Sequence, residues 1–138
     1  HQEPEGCWFG RWGVNYIYGT WQSVIGPIRC GEDPRQPWIQ KAAAWLESVQ
    51  KADGSFGETA MSYEDRSLMG SGPSTASQTA WAAMTLQEIR GADQPSVIRA
   101  IRWLCDTQLD ADAAIGGITW VIGLIEAAVR EGRTPTSF

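Results

Sequence analysis

Histidine is confined to position 1. With none inside the chain, a Ser-His-Asp or Cys-His catalytic device built from these residues alone is excluded. Cysteine is scarce as well. Cys7, Cys30 and Cys105 form no CxxC pair and no Cys/His cluster, so no metal site is expected. Free thiols in a reducing compartment are the simplest reading, and a disulfide stays open. Positive charge is in deficit: eleven Lys and Arg against sixteen Asp and Glu give a net charge of −5. That is the wrong sign for a phosphate backbone, so no nucleic-acid partner is expected. No apolar run reaches about 18 residues, which excludes a bilayer-spanning helix. No signal peptide is expected, and neither GxxxxGK[ST] nor GxGxxG occurs.

Tryptophan is what the chain has in excess. Eight Trp stand against three Phe and three Tyr in 138 residues. The length suits one domain with a core of its own. Helical spacing of apolar residues, punctuated by Gly and Pro, predicts five helices and no strands. The first covers about residues 15–25 and is apolar almost all round, as an interior helix is. Pro27 is expected to end it. The second covers about 38–50, with Pro37 in its first turn. A Gly-rich loop carrying Glu64-Asp65 leads to the third, about 75–90, capped by Ser74 or Thr75 and closed by Gly91. The fourth, about 94–108, places Val97, Ile98, Ile101, Leu104 and Cys105 on one side, which makes Cys105 a buried small hydrophobe. The fifth is expected at about 118–130, then a frayed tail at 131–138.

An internal repeat runs through these elements. Gln2-Glu3-Pro4-Glu5-Gly6-Cys7-Trp8 and Gln50-Lys51-Ala52-Asp53-Gly54-Ser55-Phe56 share one form: Gln, three residues, Gly, one residue, an aromatic ring. The offset is 48 residues. The helical lead Lys41-Ala42-Ala43-Ala44-Trp45-Leu46 recurs 58 residues later as Arg99-Ala100-Ile101-Arg102-Trp103-Leu104, and each lead continues to a Gln, Gln50 or Gln108. The unit is therefore a helix pair with a Gly-rich turn. In such a turn the Gln amide can bridge backbone groups at neighbouring helix ends, with the ring shielding it. Helix pairs of this kind stack side by side, each burying its neighbour's apolar face.

The lead, the Gln and the Gly-x-aromatic together resemble the QW motif of triterpene cyclases. The segment Trp8-Phe9-Gly10-Arg11-Trp12-Gly13-Val14-Asn15-Tyr16-Ile17-Tyr18-Gly19-Thr20 is more specific and resembles the bacterial squalene–hopene cyclases. Ser62-Tyr63-Glu64-Asp65 and Ser74-Thr75-Ala76-Ser77-Gln78-Thr79-Ala80-Trp81 fit the same family in the same order. The resemblance covers about residues 2–108. It implies an all-α chain forming part of an α/α toroid, within the C-terminal catalytic domain. It implies proton-initiated cyclisation of squalene or a related polyprenoid, with no cofactor. Aromatic faces would hold successive carbocations by cation–π attraction. It also implies a cytoplasmic location with peripheral attachment to a membrane surface. By resemblance, Tyr18 is the catalytic tyrosine that holds a proton-relay water. Trp12, Trp45 and Tyr63 are substrate-cavity positions. Gln2, Trp8, Gln50, Phe56 and Gln108 are structural QW positions.

The departures are informative. The second QW ring is Phe56 rather than Trp. Gln108 does not lead into a short Gly-x-Trp turn, and no GFPGDFY-like segment occurs beyond Gly117. The DxDD proton donor is absent, since the cluster Asp106 to Asp112 has neither its form nor its context. The first expectation is thus a part of a cyclase, with the rest of the chain upstream, inert alone. Two alternatives stand beside it: a stand-alone half-toroid that binds lipid or a protein, and an α/α-toroid enzyme of another class. The last would need zinc ligands or separated carboxylates. Glu64-Asp65 reads as a solvated loop pair rather than a glycosidase pair. For Trp45, Trp81 and Trp103, helical spacing alone predicts core packing.

Overall fold

The computed structural model describes residues 1–108. The expected fifth helix, the tail and most of the Asp106 to Asp112 cluster lie outside these residues. Within them are four α-helices and no strand: α1 Tyr16–Arg29, α2 Pro37–Val49, α3 Ala76–Arg90 and α4 Pro95–Asp106. Two short 3-10 turns, Ala60–Tyr63 and Arg66–Leu68, give the long loop before α3 a shape of its own. Helix α3 is the hub, packing against α1, α2 and α4. No described helix is long and apolar enough to cross a membrane.

The helix ends obey local chemistry. Pro37 and Pro95 each open a helix, where the missing N–H costs nothing. Thr75 caps α3 by accepting from the Gln78 amide at 3.2 Å, and Gly91 (φ 95°) closes it. The expected break at Pro27 does not occur, and α1 runs on to Arg29. Proline forfeits one intrahelical bond. So close to the end the helix loses little by it, and the Cys30 amide still reaches Gly26 O at 3.1 Å.

One main core joins the four helices. It contains Ile17, Trp45, Leu46, Phe56, Leu86, Val97 and Ala100, with Cys7 beneath them. A smaller cluster of Val24, Ile39 and Ala42 lies beside it. Cys105 is exposed, contrary to expectation. The buried stripe of α4 is Val97, Ala100 and Leu104, and Cys105 lies about 100° further round the helix.

All three cysteines are free, and only Cys7 is buried. Burial pushes the Cys7 thiol from an ordinary 9.0 up to about 12, with Met69 Sδ 3.9 Å from its sulfur. At pH 8 iodoacetamide is therefore expected to label Cys30 in the native chain and Cys7 only after unfolding. Mass mapping checks this, and native labelling of Cys7 would refute its burial. The neutral buried thiol also favours the fold below pH 9.0. That contribution is lost as pH rises towards about 12.

Candidate functional site

The repeat is a repeat in three dimensions. Gln2 Nε2 donates to Gly6 O at 2.8 Å and to Trp38 O at 2.8 Å. Gln50 Nε2 donates to Gly54 O at 3.0 Å and to Ser96 O at 2.8 Å. Each Gln thus ties its own turn to the first turn of the next Pro-initiated helix. The turn bonds match as well: Glu3 N to Cys7 O corresponds to Lys51 N to Ser55 O, and Gly6 N to Glu3 O corresponds to Gly54 N to Lys51 O. Gly6 (φ 113°) and Gly54 (φ 91°) lie in the left-handed region. A Cβ on either would meet a helix carbonyl, Lys41 O at 2.6 Å or Arg99 O at 2.5 Å. The rings are spent on packing. Trp8 meets Trp38 edge-on with ring centres 5.8 Å apart, and Phe56 is wholly buried in the main core. Gln108 is exposed, and the chain beyond it lies outside the described residues.

The segment between the first turn and α1 is where polar contacts concentrate. Trp8 N donates to Thr20 Oγ1 at 3.1 Å, and Gly10 N donates to Asn15 Oδ1 at 3.1 Å. Asn15 Nδ2 donates to Ser62 Oγ at 3.3 Å. The Tyr63 hydroxyl sits 3.0 Å from Gly10 O and 2.9 Å from Gly13 O. Phe9 fills the corner, edge-on to Tyr16 and to Tyr63 with ring centres 5.7 and 5.5 Å away. An otherwise irregular loop is thereby fixed at both ends.

Helix α1 has no acidic residue in its first turn and no side-chain cap from Asn15. Glu58 supplies both functions from the distant loop. Its Oε2 accepts from Asn15 N at 3.2 Å and from Ile17 N at 2.9 Å. A carboxylate there satisfies orphan amides and complements the helix dipole. Gln78 holds Glu58 in turn. Its Oε1 accepts from Glu58 N at 2.9 Å and from the Thr75 hydroxyl at 2.9 Å. Its Nε2 donates to Glu58 O and Val14 O, both at 3.1 Å. All four hydrogen-bonding positions of the amide are used. Both side chains are 4% exposed.

The site residues expected from sequence fall into different places. Trp12 is 87% exposed at the tip of the fixed segment. Tyr18 is half-buried beside Trp21 on its own helix and Trp81 on the neighbouring α3. Tyr63 is 39% exposed, but its hydroxyl is engaged with the loop backbone. Trp45 is 6% exposed within the main core, the position that helical spacing predicts, and it is not beside Trp12 on the surface. Glu64 and Asp65 are exposed. The sequence does not single out Glu58, and Gln78 stands out only within the Ser74 to Trp81 motif. The local signal for Glu58 was its place two residues after the Phe56 ring, where the chain leaves the repeat turn. Among the described residues no group of His, Cys, Asp and Glu could hold a metal.

The profile of the squalene–hopene cyclase C-terminal domain matches residues 1–117. Squalene–hopene cyclase of Bradyrhizobium diazoefficiens is 47% identical over 108 residues, covering 78% of this chain and 16% of that protein. The enzyme of the same name from Alicyclobacillus acidocaldarius is 49% identical over 107 residues, covering 78% and 17%. Dammaradiene synthase of Dryopteris crassirhizoma is 41% identical over 121 residues, covering 78% and 18%. The chain therefore spans less than a fifth of the length of these relatives.

Proposed function

Because this chain belongs to the squalene–hopene cyclase C-terminal domain family, we propose that it forms one stretch of the catalytic wall of a triterpene cyclase. The α/α toroid of that family is a ring of helix pairs, and α1 to α4 are two such pairs. The substrate class is squalene or a related polyprenoid, drawn from a membrane face to which the complete enzyme attaches peripherally. The reaction begins when a carboxylic acid protonates a terminal alkene. The alkenes then close in turn on the cation, and loss of a proton or capture of water ends the sequence. No DxDD acid occurs in this sequence, so the proton source belongs to the remainder of the cyclase. No cofactor is required.

One observation carries the reading. The segment from Trp8 to Thr20 is held by bonds to Thr20, Asn15 and Tyr63, yet Trp12 within it is 87% exposed. An exposed indole on a fixed loop can stabilise a passing carbocation, by about 2 kcal/mol or more once desolvated. Tyr18 lies on the adjoining first turn of α1 and serves the proton relay through a bound water. Tyr63 holds the loop through Gly10 O and Gly13 O, and Trp45 packs in the main core.

The test uses a chimera, the Bradyrhizobium cyclase with its matching segment replaced by residues 1–108. Tyr18→Phe should slow squalene consumption by about tenfold or more. Trp12→Ala should release partially cyclised products. Unchanged rate and product profile in both would remove these residues from the site. The isolated 138-residue chain should form no hopene from squalene by mass spectrometry. Hopene from that chain would overturn the need for an outside acid.

A further inference from the structure

Tyr18 and Tyr63 are held in opposite ways. The Tyr63 hydroxyl is tethered to two backbone carbonyls, whereas the Tyr18 hydroxyl bonds to no described residue. If Tyr18 is to hold a water, its hydroxyl has to stay unspent, and its aim must come from the ring. The ring sits in a slot. One wall is a pair of indoles, Trp21 and Trp81, stacked at 13° with centres 5.5 Å apart. Tyr18 meets Trp81 edge-on at 5.2 Å and lies tilted at 57° to Trp21, 5.9 Å away. The other wall is the backbone of the Trp12 segment. A Cβ on Gly13 would lie 2.7 Å from Tyr18 Cγ, and one on Gly10 would lie 3.0 Å from Cδ1.

The indole wall is itself firmly placed. Trp81 projects from α3 and packs against the main core. Trp21 lies one turn along α1 from Tyr18, and its buried Nε1 has no acceptor among the described residues. A buried N–H left without a partner is costly. Among the described residues Trp21 is engaged through its ring faces, by Tyr18 and Trp81.

We propose that Trp81, stacked on Trp21, is a positioning residue for Tyr18: the indole pair and the Gly10 to Gly13 backbone clamp the phenol ring and so fix where its hydroxyl is presented. This deepens the proposed function and rests on its reading of Tyr18 as the relay residue. Trp81 meets the Tyr18 ring rather than its hydroxyl. It acts through the ring plane of Tyr18, so a change at position 81 should alter the rate of proton delivery and leave substrate binding alone.

The experiment has two readouts. In the 138-residue chain, the Tyr18 ring signals are assigned by their loss in Tyr18→Phe, using NMR of tyrosine-labelled protein. The two indole ring currents should displace them from ordinary tyrosine positions. Trp81→Leu should return them towards those positions, and Trp81→Phe should keep most of the displacement. In the chimera, Trp81→Leu should lower kcat by about tenfold or more with KM unchanged, and Trp81→Phe should restore most of it. Should Trp81→Leu fail to fold, Gly13→Ala attacks the slot from the opposite wall, where its Cβ would lie 2.7 Å from Tyr18 Cγ, and should move the Tyr18 signals from their wild-type positions and lower kcat by a similar factor. Folded variants with unmoved Tyr18 signals and unchanged kcat would overturn the clamp. Full activity in Tyr18→Phe would instead overturn the relay reading and leave the NMR result to decide the clamp.

Discussion

Gln78→Leu should lower the unfolding free energy by about 3 kcal/mol or more. Leucine nearly fills the glutamine's volume, so no large cavity complicates the result. What is lost is polar pairing. The Glu58 amide loses its acceptor, and the Val14 and Glu58 carbonyls lose their donor. Each buried group left unpaired costs about 1–3 kcal/mol. Urea unfolding checks this directly. With a slope of about 1–3 kcal/mol/M for a small protein, the midpoint should fall by at least ~1 M. Gln78→Glu separates geometry from bulk. It puts a carboxylate oxygen where the amide now donates, facing two carbonyl oxygens, and should destabilise at least as much as leucine. A loss under about 1 kcal/mol in both variants would mean that water, not Gln78, satisfies these groups.

The second large effect is expected at Glu58. Glu58→Ala removes the only side chain that reaches the opening amides of α1 among the described residues. Two N–H groups lose a charged acceptor, and the helix loses the carboxylate that complements its dipole. A loss of about 3 kcal/mol is expected, since hydrogen bonds to charged groups contribute roughly 1.5–3 kcal/mol each. Glu58→Gln keeps an oxygen for those amides but places an NH2 group where the buried Oε1 has no partner, so it should cost less than alanine without being neutral. Equal losses for Ala and Gln would mean that an amide oxygen cannot stand in for the carboxylate at α1. The two predictions are coupled, because Gln78 holds the backbone of Glu58 and Glu58 holds α1. The double variant should therefore cost less than the sum of the singles.

These residues show where the sequence was informative and where it was not. Helices α2, α3 and α4 were legible because Pro37, Thr75, Gly91 and the apolar spacing are local signals, read within one turn. The repeat was legible for the same reason. Gln2 and Gln50 sit in matching turns, and the structure gives them matching partners 36 and 46 residues away. Cys105 went wrong by a single helical step, a rotation of about 100° that a loose apolar face does not resolve. Pro27 went wrong because a break rule takes no account of how little helix remains beyond it. Glu58 was hidden for a different reason. Its partners, Asn15 and Ile17, lie 43 and 41 residues earlier in the chain. An isolated glutamate in a loop carries no mark of that pairing. The Tyr18–Trp21–Trp81 cluster was half legible. The spacing of Tyr18 and Trp21 places them on one face of α1, but the meeting with Trp81 depends on how α1 and α3 cross.

The placement of Trp45 and Trp12 separates two kinds of tryptophan that composition cannot tell apart. Trp45 is in the core, where helical spacing puts it, and its mutation should act through stability. Trp12 is exposed on a fixed loop, and its mutation should act on products with little change in stability. Surface substitutions away from special features usually fall within about 0.5 kcal/mol.

Hopene formation by the Bradyrhizobium chimera decides whether residues 1–108 supply a working stretch of a squalene–hopene-type catalytic wall. With the matching 47% identical segment exchanged, hopene is expected as the main product, at a rate within about tenfold of the parent and reduced further by Tyr18→Phe. A chimera that folds, binds squalene and yields no cyclised product would show that this stretch does not serve as such a wall.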